Sequence, residues 1–199
     1  SLYNGTNKKN IYPTPVIGGV GLITNISNKV NQYLKKDGNT ILQIGKNFGQ
    51  LYQSVFLEEI YAITDGPPPE VNLSNEKNNG LAVLKLINDK LVSSVHDISS
   101  GGMLVALAEM VLGSNYGIKI HKPKNLANLM EYYFSEDQGR YLIEIEPNNL
   151  ERINKVLNEN SIFSEVVATV QNDYFEVVGE LKIKTNDLYK TNNSWYNNY

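Results

Sequence analysis

Apolar positions change their period several times along this chain, and each change marks an element. Thr40 to Gly45, TILQIG, is a short apolar run that predicts a strand, and Leu91 to Val95, valine-rich and bounded by turn-forming residues, predicts another. Directly after the second strand comes a polar elbow, His96-Asp97-Ile98-Ser99-Ser100-Gly101-Gly102. Met103 to Leu112 then follows as a run of helix formers with Glu109 as its only charge. Such a helix is predicted to be buried on nearly every side. Ser99 or Ser100 can cap its first turn, and the glycine pair lets the backbone bend between strand and helix. An elbow of this kind aims backbone N–H groups and the positive end of a helix dipole at one spot, where an anion or a carboxylate-held metal can sit. His96 and Asp97 stand at that spot.

Around this centre the same reasoning places the other elements. Ser54 to Ile63 predicts a short helix, Asp65-Gly66-Pro67-Pro68-Pro69 a stiff connector, and Ser74 to Asn88 a helix capped by Ser74 with Leu81, Leu84, Leu86 and Ile87 among its apolar positions. Further strands are predicted over Tyr116 to Ile120 and Tyr141 to Ile145, a short helix over Asn125 to Met130, and an amphipathic helix over Leu150 to Glu159. Ser164 to Val170 and Tyr174 to Val178 read as a strand pair turning at Gln171-Asn172-Asp173. Before the first strand, Tyr12-Pro13-Thr14-Pro15 forces an extended path into Val16 to Ile23, a glycine-punctuated strand that needs a sheet to join. The predicted fold class is therefore α/β (α+β), a mixed sheet covered by helices. Residues 1–25 form an extended arm, 26–39 a linker, 40–185 one domain and 186–199 a tail poor in apolar residues.

Composition narrows the function classes. The chain has no cysteine, so disulfides and thiolate metal sites are excluded. A net charge of −3 leaves no footprint for nucleic acid, and no apolar run reaches the ~20 residues of a membrane span. These features predict a cytoplasmic protein whose partners are small molecules or other proteins. The chain starts at Ser1 without an initiator methionine, which reads as the middle of something longer.

Two familiar loop motifs fail. Gly19-Val20-Gly21 lacks the third glycine of a dinucleotide fingerprint, since Thr24 stands there, and Gly45-Lys46 is followed by Asn47 where a phosphate loop needs serine or threonine. Asp97 reads either as a helix-start carboxylate capping free N–H groups or as a metal or phosphate ligand. His96 reads as a hydrogen-bonded elbow residue or a general base, and His121 as an exposed strand-end residue. Phe134-Ser135-Glu136-Asp137-Gln138-Gly139-Arg140 packs three ionisable groups and an amide into one turn, where Glu136 and Arg140 can pair.

Three stretches together resemble one family: Ser1-Leu2-Tyr3-Asn4 with Tyr12-Pro13-Thr14-Pro15-Val16-Ile17-Gly18-Gly19-Val20-Gly21, the elbow His96 to Gly102, and the turn Phe134 to Arg140; Gly66-Pro67-Pro68-Pro69-Glu70-Val71 fits too. They are similar to the C-terminal part of phosphoribosylformylglycinamidine synthase, within the aminoimidazole ribonucleotide synthetase-like superfamily. The resemblance implies an ATP-dependent carbon–nitrogen ligase of purine biosynthesis, which converts formylglycinamide ribonucleotide, ATP and glutamine-derived ammonia to formylglycinamidine ribonucleotide, ADP and phosphate. ATP and Mg2+ are implied for the full enzyme, with no cofactor assigned to these 199 residues. The implied partners are an N-terminal half of the synthetase and a glutaminase subunit.

Residue by residue, Ser1 matches a substrate-contacting serine. His96, Asp97, Glu136, Asp137, Gln138 and Arg140 match an auxiliary nucleotide or phosphate site by pseudo-symmetry, with Asp97 as the possible metal ligand. Gly5, where the family has glutamate, and Tyr52-Gln53, where it has a glycine pair, depart from the pattern. The isolated chain is expected to be inactive and to self-associate as a symmetric dimer. The alternative reading is a stand-alone interaction or scaffolding domain.

Overall fold

A computed structural model describes residues 5–6, 9–10, 15–123 and 128–198. A two-stranded pair, β1 (Gly5–Thr6) and β2 (Lys9–Asn10), precedes the main body. The body runs β3 (Thr40–Ile44), α1 (Val55–Tyr61), α2 (Leu73–Asn88), β4 (Ser94–Asp97), α3 (Gly102–Leu112), β5 (Gly117–Ile120), α4 (Leu129–Phe134), β6 (Tyr141–Ile145), α5 (Leu150–Glu159), β7 (Ser164–Gln171), β8 (Tyr174–Val177), β9 (Leu181–Lys184) and α6 (Thr185–Asn193). Seven strands form one mixed sheet in the order β4-β6-β3-β7-β5-β8-β9. All neighbours are antiparallel except β5 and β8.

Alternation along the central strands divides the core in two. Ile41 of β3 and Leu142 of β6 belong to one cluster, packed with Met103, Leu107 and Met110 of α3. Leu42, Ile44, Ile143 and Ile145 belong to the other, with Val83 and Leu86 of α2 and Ile153 and Leu157 of α5. Both faces of the sheet are thus covered by helices, as the pattern predicted. Inside α2 the buried positions are Asn79, Ala82, Val83 and Leu86, a helical i, i+3, i+4, i+7 stripe, so Leu81 and Leu84 face outward, more than half exposed. The helix is capped by Asn72, whose Oδ1 accepts from Asn75 N at 3.0 Å, and Ser74 lies inside its first turn.

Several other expectations are corrected. Leu91 and Val92 lie outside the strand because Leu91 N donates back to Leu86 O, which docks both residues in the α2 core and delays sheet pairing to Ser94. The helix expected over Asn125 to Met130 runs instead over Leu129–Phe134, where the Asn128 side chain caps it; residues 125–127 lie outside the described residues. β7 and β8 do not pair with each other, because β5 lies between them. The connection crosses the end of β5 at Gly117, where a Cβ would stand 2.1 Å from Tyr174 O; only glycine leaves that room. The hairpin is β8 with β9, and residues 185–198 are helical, with Leu188 packed on the core. Residues 16–23 join no strand, and Val16, Ile17, Val20 and Leu22 are almost fully exposed. A strand is stable only with a partner to bond, and β3 to β9 bond one another.

The segment before β3 is fixed by a buried carboxylate. Glu144 of β6 is fully buried and accepts from the backbone N–H groups of Lys35 (2.9 Å) and Lys36 (3.1 Å), from Asn39 Nδ2 (2.8 Å) and from Ser94 Oγ (2.8 Å). Val95 N, on the outer edge of β4, donates to Asn31 O, so this segment also covers the sheet edge there. Replacing Glu144 with Ala strands several buried donors at once, and is expected to cost about 3 kcal/mol or more in urea unfolding. His121, after β5, is half-buried rather than exposed: its N–H donates to Val167 O, and its Nε2 lies 3.1 Å from Thr169 Oγ1. Burial, and then Lys119, lower its pKa below the ordinary 6.5. The folded state then binds protons less readily than the unfolded one. Stability from this group is complete above the unfolded pKa and lost as pH falls through the folded one. His121→Gln is expected to reduce the decline in melting temperature between about pH 7 and pH 5.

Candidate functional site

The elbow is held from outside its own sequence. After β4 ends at Asp97, Ile98 N donates to Arg140 O and Gly102 N to Ser99 O. Gly101 sits at the N-cap of α3 with φ +82°, and Gly102 follows at +71°. A Cβ on Gly102 would meet the Phe134 backbone at 2.7 Å, so the turn and the close approach to α4 both require glycine there. Neither Ser99 nor Ser100 caps α3, contrary to expectation, because no side chain of the elbow reaches its first turn. The acceptor comes instead from Glu136, whose Oε1 takes hydrogen bonds from Gly101 N and Val55 N, both at 2.8 Å. Val55 is the first residue of α1, so one carboxylate oxygen satisfies the starts of two helices and adds negative charge at their positive ends.

The rest of the 134–140 turn is built the same way. Asp137 is buried, with Oδ2 accepting from Phe48 N (3.0 Å) and Gly49 N (3.1 Å) and Oδ1 from Gln50 N (3.4 Å). Arg140 is fully buried; its Nε donates to Asp137 O at 3.1 Å and its Nη2 to Ser135 O at 2.5 Å. Its ion-pair partner is Asp137, at 3.9 Å, and not Glu136. Burial lowers the guanidinium pKa, while Asp137 works in the opposite direction. Nη1 finds no protein partner.

These elements bound a cavity of about 350 Å3 that brings Asp97, Glu136, Gln138 and Arg140 together with Ser99, Ser100, Glu76 and Tyr141. His96 points to the other face of the sheet, with Nε2 3.0 Å from Glu109 Oε2 and Nδ1 3.3 Å from Asp97 Oδ1. Asp137 is turned toward residues 48–50, and Ser1 lies outside the described residues. Glu76 and Tyr141 were not foreseen. Tyr141 pairs with Asp97 in the sheet register, a relation that strand alternation could have suggested once the pairing was known. Glu76 reaches the site through the packing of α2 and has no local signal.

Chemically, the cavity is acidic. Glu76, Asp97 and Glu136 contribute three carboxylates, Arg140 gives its Nε and Nη2 to the carbonyls of its own turn while Nη1 stays without a protein partner, and Glu136 already occupies the Gly101 N–H. The donors that would hold a phosphate are thus partly consumed within the chain. Among the described residues no three His, Cys, Asp or Glu side chains converge on a metal position.

The chain matches, over residues 36–179, the family described as AIR synthase related protein, C-terminal domain. Over 199 residues it is 45% identical to the phosphoribosylformylglycinamidine synthase subunit PurL of Pelagibacter ubique, and over 196 residues 39% identical to that of Bartonella bacilliformis. All of the chain, and 98% of it, is covered in the two cases, but it spans only 27% and 26% of those relatives. Its fold is similar to that of Thermotoga maritima PurL complexed with FGAR, with a TM-score of 0.69 at 21% identity, covering 82% of this chain and 30% of that one. It is also similar to E. coli HypE, a hydrogenase maturation protein, with a TM-score of 0.53 at 16% identity over 78% of this chain and 51% of that one.

Glu136→Ala removes the acceptor at two helix starts and is expected to destabilise the chain by about 2 kcal/mol in urea unfolding. Amide exchange at Val55 and Gly101 should accelerate together. Exchange rising at one position alone would show that the two helices are not capped in common.

Proposed function

The chain belongs to the family of AIR synthase related proteins, C-terminal domain, and on that premise we propose that it is the C-terminal portion of a phosphoribosylformylglycinamidine synthase subunit, an ATP-dependent carbon–nitrogen ligase of purine biosynthesis. The full enzyme takes formylglycinamide ribonucleotide, ATP and ammonia released from glutamine, and yields formylglycinamidine ribonucleotide, ADP and phosphate. The observation that carries this reading is the 45% identity to a PurL subunit across all 199 residues, together with a span of 27% of that relative. Such a share fits a domain that works with others supplied by the rest of a longer polypeptide.

Phosphoryl transfer depends on positioning and on charge stabilisation around the transferring group. This chain's contribution is positional. Glu136, Asp137 and Arg140 join the starts of α1 and α3, the 48–50 loop and the strand end at Asp97 into one rigid wall. Magnesium, when bound in the full enzyme, would offset the phosphate charge, and Asp97 in the cavity lining is the carboxylate of this chain that would be offered to it. By the family resemblance, Ser1 is proposed as a substrate-contacting serine. A glutaminase subunit delivers ammonia, a partner suggested by the relative solved as PurLQS from Thermotoga maritima. The reaction runs in the cytoplasm; among the described residues no helix is long and apolar enough to cross a membrane.

Grafting tests this directly. A PurL subunit whose matching quarter is replaced by this chain should restore purine-independent growth to bacteria lacking the synthase, while the chain alone should neither restore growth nor release phosphate from ATP with formylglycinamide ribonucleotide and ammonium. A soluble, folded graft that fails to restore growth would favour the interaction-domain reading. Turnover by the chain alone would overturn the division of labour.

A further inference from the structure

One surface away from the elbow cavity combines three features that the ligase reading does not use. The first is charge. Residues 47–75 contain no lysine, arginine or histidine but carry Glu58, Glu59, Asp65 and Glu70, a net −4 in a chain that totals −3, so the rest of the chain sums to +1. None of the four forms an ion pair among the described residues. The second is exposed apolar surface. α1 has no buried residue, and Ile60 and Tyr61 at its end are 64% and 58% exposed.

The third feature is a preformed cleft of about 670 Å3 beside α1, walled by Leu51, Tyr52, Leu57, Ile63, Pro67 and Pro68 with Glu70 and Glu131 in its lining. Its walls are pinned. Gln53 adopts φ +61°, unusual for a side-chain-bearing residue, and its Nε2 donates to Thr64 O (2.8 Å) and Gly66 O (3.0 Å). Gln50 Oε1 accepts from Glu70 N at 2.7 Å, so the loop after β3 and the proline connector are tied at two places. Asp137 holds the start of that loop and Glu136 the start of α1. Hydrogen bonds of this kind lower the ordering cost of binding, because the apolar walls stand ready before a ligand arrives.

We propose that this cleft is a docking site for a basic, amphipathic segment of a partner protein, whose apolar side chain fills the cleft while its lysines or arginines face Glu58, Glu59 and Glu70. Charge selects that occupant. An acidic or neutral segment with the same apolar anchor gains no attraction from four unpaired carboxylates, whereas a basic one is steered to them and held in register. A second copy of this chain, with −3 overall, is repelled at long range.

The test uses the full chain and two labelled helical peptides with identical leucine positions, one carrying lysines and the other glutamates at the polar positions. Fluorescence anisotropy at about 50 mM salt should show the lysine peptide binding at least tenfold tighter than the glutamate peptide, and weakening as salt rises to about 500 mM. Ile63→Ser and the double change Glu58→Lys with Glu59→Lys should each weaken it about tenfold. Both sites are exposed, and circular dichroism melts will verify that each variant is folded. Equal binding of the two peptides, or binding unchanged by Ile63→Ser, would overturn the proposal. Sedimentation equilibrium showing a dimer that Ile63→Ser converts to monomer would also overturn it, assigning the cleft to a second copy.

Discussion

Helix starts and tight loops leave backbone N–H groups without partners, and in this protein one seven-residue turn supplies acceptors for five of them. Glu136 takes the first N–H of α1 and the cap N–H of α3, and Asp137 takes three successive N–H groups of the loop after β3. Arg140 then closes the turn on its own carbonyls. Each bond contributes only about 1 kcal/mol net, but an unmade bond at a buried group costs about 1–3 kcal/mol. The arrangement therefore acts as a condition on the fold. α1 buries no residue of its own. It stays in place through Glu136 and the stacking of Phe56 on Phe134, whose ring centroids lie 4.4 Å apart.

Glu144 performs a parallel task at the other end of β6. Its carboxylate gathers the 35–39 segment and Ser94, and Leu34, 3% exposed, is carried into the α3 core with its N–H bonded to Met110 O. Two acidic residues at opposite ends of one stretch of chain thus anchor α1 and α3 on one side and the approach to β3 on the other. What leads away from this framework is less constrained: residues 16–23 expose their apolar side chains. The cleft beside α1 inherits its rigidity from the same turn, which is why a surface outside the elbow can be both apolar and ordered.

The site itself illustrates how one local motif can serve different ends. A strand, a glycine elbow and a helix start form a natural anion site. Here the position at the helix start is filled by Glu136, so the helix dipole stabilises an internal carboxylate. The same cavity holds Glu76 and Asp97 beside Glu136, and Arg140 turns its Nη2 to Ser135 O. In this domain the elbow joins β4, α3 and the 134–140 turn through Gly101 N to Glu136 and Ile98 N to Arg140 O.

Local periodicity by itself determined a great deal. β3, β6 and α5 lie where the pattern placed them, α3 begins one residue early at Gly102, and the mixed sheet covered by helices follows from their alternation. The turn at 134–140 was legible as an unusual concentration of charge, and residues Asp97, Glu136, Gln138 and Arg140 do share one cavity. Only the tertiary structure decided what those groups bond to. The cap of α3 comes from a residue 35 positions away, β5 enters between two strands that are neighbours in sequence, and Leu81 and Leu84 face outward because α2 meets the sheet through Ala82, Val83 and Leu86. The physical reason is common to all three. Period and propensity are properties of neighbouring residues, whereas the partner of a hydrogen bond or an apolar face is set by whichever distant segment the packed chain brings within reach.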